Sequence, residues 1–291
     1  RRSRYLVGKR IGYMGPPGSY SEQAAIIYGG DSGLVPVESI PAVARAISSG
    51  EADEGVIPIE NSIEGAVTFT LDLLIHESDL KIRSEVVIPI HHSLMAREMV
   101  AAREIELVYS HPQSFAQCRS YLSKNLPGAE LVASMSNSRA VEQMMQSGLK
   151  TAAISSERAA RLYSASVLDS RIEDSQNNET RFIVLAVDDH EATGYDKTSL
   201  CFDFAHDSAG ILYNVLGEFF KRGINLLKIE SRPTKKSLGR YVFLVDIEGH
   251  RTDSNVSEAL AILRGHTSMF KIMGSYPMNI TSAVHHSTST Q

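Results

Sequence analysis

Asp188-Asp189-His190-Glu191-Ala192-Thr193-Gly194-Tyr195-Asp196 is polar, with neither the two-residue nor the 3.6-residue apolar repeat of a strand or helix. It marks a domain boundary, because the chain is patterned differently on its two sides. On the N-terminal side, residues 11–187 alternate short apolar runs with amphipathic stretches. The runs 11–14, 55–59, 107–109, 130–133, 151–154 and 182–187 are rich in β-branched or large apolar side chains and predict buried parallel strands. The intervening helices carry their own signals. Ser19 and Glu22 fit a capping box, Asn137 or Ser138 can cap a second helix, and Gly148 stands where a C-terminal glycine belongs. Strand–helix alternation of this kind predicts an α/β layer fold.

On the C-terminal side Leu200, Phe202 and Phe204 alternate with Ser199, Cys201 and Asp203, which predicts a strand with one buried face. Ile211, Leu212, Val215, Leu216, Phe219 and Phe220 follow as a helical stripe ended by Gly223. Strands at 225–232 and 240–248, a helix carrying Val256, Ala259, Leu260 and Leu263, and a strand at 269–275 complete the pattern. The order β-α-β-β-α-β is the ferredoxin-like arrangement. The expected domains are therefore 10–188 and 196–277, with a disordered tail at 278–291 that is rich in Ser, Thr and His.

The length of 291 residues is near twice the ~150 that serve as a prior for one domain. Lys plus Arg is 29 against Asp plus Glu 34, a net charge of −5, which argues against nucleic acid as the partner. No apolar run approaches the ~18 residues a membrane helix needs. Residues 1–10 are basic without the apolar stretch of a secretory signal; they read as a solvated extension, and cytoplasm is the expected location. Cys118 and Cys201, far apart in sequence, make neither a disulfide framework nor a zinc knuckle, and Cys118 reads as a buried, inert thiol. His91 and His92 are neighbours that would point to opposite faces of a strand, so no metal is expected. Gly12, Gly15 and Gly18 have the wrong spacing for a dinucleotide loop, and Pro16-Pro17 lacks the donors one would use. No cofactor is expected.

Four segments can carry chemistry. Ser19, Tyr20 and Ser21 put hydroxyls and free amides at a helix start, suited to a carboxylate. Pro58-Ile59-Glu60-Asn61-Ser62 sits where a strand ends at the carboxyl edge of a sheet, as a binding loop or as a polar turn. His111-Pro112-Gln113-Ser114 follows another strand in the same way, as a site or as an ordinary strand–helix turn. Asn177-Asn178-Glu179-Thr180-Arg181-Phe182 brings a hydroxyl and a guanidinium to the start of an apolar strand. There Arg181 can pair with a carboxylate or cover a sheet edge.

These segments, with Gly15-Pro16-Pro17-Gly18-Ser19-Tyr20-Ser21-Glu22, Gly223-Ile224-Asn225-Leu226 and Ile229-Glu230-Ser231-Arg232-Pro233, stand in the order of one known family. The chain resembles prephenate dehydratase with a C-terminal ACT regulatory domain. The resemblance implies a catalytic domain of two lobes like those of periplasmic binding proteins, with the active site in the cleft between them. It implies a hydro-lyase that converts prephenate to phenylpyruvate, with Thr180 as donor to the departing hydroxyl. Arg181 would orient substrate or organise the site, and Glu60 would be structural. Asn61, Ser62, Ser19, Tyr20, Gln113 and Ser114 would supply neutral donors, and Phe182 would pack under the cleft. Homodimers or homotetramers are implied. Phenylalanine would bind between ACT domains at Ala209, Gly210, Ile211, Leu212, Asn225, Leu226, Glu230, Ser231 and Arg232, and a chain cut after about Asp189 would keep catalysis and lose inhibition. Asp207-Ser208 and Ala209-Gly210-Ile211 depart from the Arg-Pro and Gly-Ala-Leu common in that family. Arogenate as substrate and a non-catalytic amino-acid sensor are the alternatives.

Overall fold

The structure, a computed structural model, describes residues 8–30, 33–148, 150–206, 208–234 and 240–278. Asp207 and the tail expected to be disordered lie outside the described residues, the latter from 279 onward. Strands β1 (Ile11–Met14), β2 (Leu34–Val37), β3 (Glu54–Asn61), β4 (Gly65–Ala66) and β5 (Lys81–Pro89) come first. They are followed by β6 (Ser93–Ala96), β7 (Leu107–Ser110), β8 (Glu130–Ala133), β9 (Thr151–Ser155), β10 (Ser166–Ser170) and β11 (Glu179–Ala186). One sheet has the order β2-β1-β3-β11-β5, with β4 on β3, and another the order β10-β6-β9-β7-β8. β1 is parallel to β2 and β3, and β7 to β8 and β9. The expectation of uniformly parallel strands needs correction: β6 runs antiparallel to β9 and to β10. β2, β6 and β10 escape a search for apolar runs because each is short and mixes in polar residues or proline, and β5 because Lys81, Arg83, Ser84 and Glu85 break up its apolar residues.

By packing, the chain divides into residues 1–67 with 86–182, and residues 68–85 with 183–291. In the first unit Val43, Val56 and Ile57 are fully buried, as are Met95, Val141 and Ala153 around the second sheet. Each such Val, Ile or Met side chain contributes roughly 1.5–3 kcal/mol. Helix starts are fixed by side chains. Ser19 Oγ accepts from Glu22 N at 3.2 Å, while the Glu22 carboxylate returns to Gly18 N at 2.8 Å, one residue earlier than a capping box requires. For the helix Asn137–Gln146 the cap is Ser136, whose Oγ accepts from Arg139 N at 3.1 Å, so Asn137 is released for another task. The basic N-terminal stretch is not wholly solvated. Lys9 reaches Glu54 at 2.6 Å and Arg10 reaches Asp53 at 2.8 Å.

In the second unit β12 (Asp196–Asp203), β13 (Leu226–Pro233), β14 (Tyr241–Glu248) and β15 (Met269–Pro277) form an antiparallel sheet of order β13-β14-β12-β15. The helices Ile211–Lys221 and Ser254–His266 complete the β-α-β-β-α-β order, and Phe202, Phe219, Ile247 and Leu263 are its core. Two expectations change. β12 is buried on both faces, because residues 68–85 of the same unit pack there. Lys197 pairs with Glu85 at 2.9 Å, and Lys271 Nζ donates to Leu74 O at 2.8 Å. Phe220 is 85% exposed rather than part of the buried stripe. The stretch 188–196 is also tied down: Arg251 holds the Asp189 carboxylate at 2.7 and 2.8 Å, and His190 N donates to Ser275 O at 3.1 Å. Among the described residues no helix is long and apolar enough to cross a membrane.

Candidate active site

Gly15-Pro16-Pro17-Gly18 leaves β1 as a tight loop, with Gly18 at φ +86°. Gly18 N donates to Glu22, Ser156 Oγ donates to Gly18 O at 3.0 Å, and Ser138 Oγ donates to Pro17 O. Arg158 Nε lies 3.0 Å from the Glu22 carboxylate. Burial opposes ionisation of Glu22, yet the bonds from Arg158 and from Gly18 N hold it below the usual carboxylate range. The loop is thus clamped by Ser138, Ser156 and Arg158, and Ser19 follows it at the helix start.

At the end of β3, Asn61 Oδ1 accepts from Ile63 N at 2.9 Å and Glu64 N at 3.0 Å. Its Nδ2 donates to Asn178 Oδ1 at 2.7 Å, Thr180 Oγ1 at 2.9 Å and Glu179 O at 3.1 Å. Ser62 Oγ donates to Asn177 O at 3.0 Å and accepts from Glu179 N at 2.9 Å, which ties β3 to the entry of β11. Strand alternation turns Thr180 and Phe182 toward one face. Arg181 takes the other, with Nε 3.6 Å from the Glu60 carboxylate.

The helix Pro112–Gln117 supplies the facing wall. Asn137 Oδ1 accepts from Ser114 Oγ at 2.9 Å and from Ser110 Oγ and His111 N at 3.2 Å each. Gln117 Oε1 accepts from Asn178 Nδ2 at 3.1 Å and lies 2.8 Å from His92 Nε2. Tyr20 OH donates to His91 O at 2.6 Å and sits 3.1 Å from His92 Nδ1. Glu173 accepts from His92 N at 2.9 Å and approaches His91 Nδ1 at 2.8 Å. Burial pushes His92 below its usual value and Tyr20 well above its own. Burial also opposes the charge on Glu173, but the bonds from His92 N and His91 keep it lowered. Cys118, beneath this wall, is pushed up to about 12 by burial and is no nucleophile.

Together these residues line a cleft of about 330 Å3. Ser19, Tyr20, Asn61, Gln113, Ser114, Thr180 and Phe182 all border it, whereas Ser62 and Arg181 do not. His92, Gln117, Asn178 and Ser136–Ser138 border it too and were not expected as site residues. Gln117 carries a signal that could have found it: it lies four residues after Gln113, on the same helical face. No Asp, Glu, Lys or Arg is among the described residues lining the cleft. Two ten-residue helices, Tyr20–Gly29 and Asn137–Gln146, begin at its edge and leave first-turn amides without intrahelical partners. A larger recess of about 650 Å3, bordered by Glu38, Arg45 and Glu51, shares only Gly15 and Pro16 with the cleft. Among the described residues no three His, Cys, Asp or Glu side chains gather to hold a metal ion.

In the second unit, Gly210 caps the helix Ile211–Lys221 at φ +84°, next to Ala209. On β13, Leu226, Glu230 and Arg232 share the less exposed face. Glu230 lies 3.5 Å from Lys228, and Arg232 lies 3.5 Å from Asp72. Ser231 is on the exposed face, and Asn225 O accepts from Glu248 N at 3.0 Å. Ile211 borders a small groove with Glu218 and His266; Leu212 packs against the core.

The prephenate dehydratase family profile matches residues 11–190 and the ACT domain profile residues 199–265. The chain is 43% identical over 270 residues to a bifunctional chorismate mutase/prephenate dehydratase of Aquifex aeolicus, covering 92% of this chain and 73% of that one. It is 38% identical over 280 residues to a prephenate dehydratase of Methanocaldococcus jannaschii, covering 94% and 99%. A crystal structure of prephenate dehydratase from Arthrobacter aurescens in complex with L-Phe superposes with a TM-score of 0.85 at 34% identity, covering 92% and 90%.

Proposed function

Since the chain belongs to the prephenate dehydratase family of hydro-lyases and carries an ACT domain, we propose that its cleft converts prephenate to phenylpyruvate under control by phenylalanine. Prephenate carries a ring carboxylate, a pyruvyl carboxylate and a ring hydroxyl para to the quaternary carbon. Loss of carbon dioxide and hydroxide makes the ring aromatic, so the protein must hold a dianion, assist the hydroxide and let one carboxylate go. The observation that carries this reading is a cleft rich in neutral donors and without Asp, Glu, Lys or Arg among its described lining residues. A tight ion pair to the departing carboxylate would stabilise ground and transition states alike and gain nothing in rate. Helix-start amides and neutral side chains hold the other carboxylate without that penalty.

Thr180 acts as donor to the hydroxide as the C–O bond breaks. Gln113 and the helix-start amides bind the carboxylates, while Asn61, Ser114 and Ser19, whose donors serve Asn178 and Thr180, Asn137 and Met14 O, order the cleft wall. The Tyr20 hydroxyl already serves His91 O, so Tyr20 shapes the cleft, while Ser62 and Arg181 act from outside it, on the entry to β11 and on Glu60. Phenylalanine binds the ACT unit through segments 209–212, 225–226 and 230–232 and lowers activity by favouring a less active state. The chain works as a cytoplasmic homo-oligomer. β13 lies at a sheet edge and exposes Leu227 and Ile229 at 38% and 44%, as a subunit interface would require. The test is phenylpyruvate absorbance with prephenate and arogenate in competition, with and without phenylalanine. Preferred turnover of arogenate would change the substrate, and binding without product would leave an amino-acid sensor.

A further inference from the structure

The amides along the cleft wall hydrogen-bond in one direction, and that direction decides where the Thr180 proton points. The turn after β3 sets it. Asn61 Oδ1 accepts from the N–H groups of Ile63 and Glu64 at 2.9 and 3.0 Å, groups that can only donate. Asn61 must therefore turn its NH2 to the wall, toward Asn178 Oδ1 at 2.7 Å and Thr180 Oγ1 at 2.9 Å. With its oxygen so engaged, Asn178 directs its own NH2 to Gln117 Oε1 at 3.1 Å. The second neighbour of that oxygen, His92 Nε2 at 2.8 Å, must then carry a hydrogen. Gln117 Nε2 points outward to the Glu64 carboxylate at 3.2 Å, an acceptor that fits the same direction. Reversing any one amide would set N–H against N–H, or oxygen against oxygen, at two places or more.

We infer that Gln117 and Asn178 are positioning residues that hold Asn61 as donor to Thr180, leaving the Thr180 hydrogen free for the departing hydroxyl. Among the described residues Thr180 Oγ1 accepts from Asn61 and donates to no acceptor. The same chain calls for a hydrogen on His92 Nε2, directed at Gln117 Oε1. The inference rests on the dehydratase reading for what the Thr180 proton meets, but not for the direction of the bonds.

Two full-length variants separate this role from space filling. Gln117→Glu combined with Glu64→Gln keeps an acceptor for both His92 and Asn178 and exchanges donor and acceptor across the bond to position 64, with the charge count unchanged. Gln117→Met keeps the volume and removes the acceptor. At mildly alkaline pH and saturating prephenate, this paired exchange is expected to keep most of kcat. Gln117→Met is expected to lose roughly tenfold, the scale of one neutral hydrogen bond, with KM little changed. Equal losses in the exchange and in Gln117→Met would mean that Gln117 donates its own N–H to substrate, and an undiminished kcat in Gln117→Met would mean that it merely packs; either result overturns the proposal. Imidazole 15N NMR on the unliganded protein reads the chain without turnover. A hydrogen on His92 Nε2 in the wild type and in the paired exchange supports it, and a bare Nε2 in the wild type overturns it. A wild type inactive on prephenate would sink the dehydratase reading alone, while the NMR result still decides the direction of the bonds.

Discussion

Thr180 and Arg181 are neighbours, yet only one of them borders the cleft. Thr180 is 9% exposed and takes a hydrogen bond from Asn61, and Arg181 faces Glu60 across the strand. Thr180→Val removes the hydroxyl at constant shape and leaves Asn61 Nδ2 its bonds to Asn178 and Glu179. The expected result is a kcat lower by about 100-fold or more, the scale of one transition-state donor, with thermal unfolding little changed, while Thr180→Ser keeps most of the rate. A folded Thr180→Val with wild-type kcat would remove the residue from the mechanism. The placement of Arg181 was legible from strand alternation alone, since successive side chains point to opposite faces. Gln117 and His92 were less legible: neither stands in a short strand-to-helix turn, and His92 is held at the cleft by Glu173 and Gln117, 81 and 25 residues away.

At the scale of the element, the segment 90–92 between β5 and β6 carries a buried histidine that burial keeps neutral. The unfolded chain takes a proton at this position near the ordinary value of 6.5, which the native state resists. Stability should therefore fall as pH drops through about 6.5. Glu22 and Glu173, held below their usual 4.5, contribute stability that is lost only as pH falls through their lower native values, so the higher window belongs to His92. Urea midpoints across that window should decline for the wild type and flatten in His92→Gln; parallel slopes would discard the assignment. The loop after β1 makes a second case. A Cβ on Gly18 would lie 2.7 Å from Ser138 Oγ and 3.2 Å from Ala159 Cα, at φ +86°. Gly18→Ala should cost about 1–3 kcal/mol, read as a lower urea midpoint, and an unchanged midpoint would show that the clamp yields freely. The sequence announced this loop by its glycines and prolines, but its holders Ser138, Ser156 and Arg158 come from more than a hundred residues away.

At the scale of the molecule, the polar stretch 188–196 was legible as a change of pattern, but the compact units part elsewhere, because residues 68–85 pack with 183–291. No local pattern could announce that, since the contacts join residues more than a hundred positions apart. Lys81 Nζ donates to Ile272 O at 2.8 Å, and Lys197 meets Glu85 at 2.9 Å with only 10% and 2% of their side chains exposed. A Cβ on Gly274 would stand 2.1 Å from Ile82 O, so the two backbones touch there. A chain cut after Asp189 therefore loses more than its effector domain: it takes Lys197 from Glu85 and uncovers the face that packs on β12 and β15. Breaking a buried pair from one side costs about 3–5 kcal/mol, a large part of the 5–15 kcal/mol that holds a typical domain. Such a chain should be largely insoluble or melt far below the full-length protein, so the expectation that truncation cleanly separates catalysis from inhibition gives way to one of misfolding. In the full chain, Lys197→Met alone should lower the melting temperature markedly, and Glu85→Leu added to it should restore most of the loss, because the pair is removed together. A truncated chain with the melting temperature and dehydratase rate of the full-length protein would show that residues 68–85 hold their shape unaided.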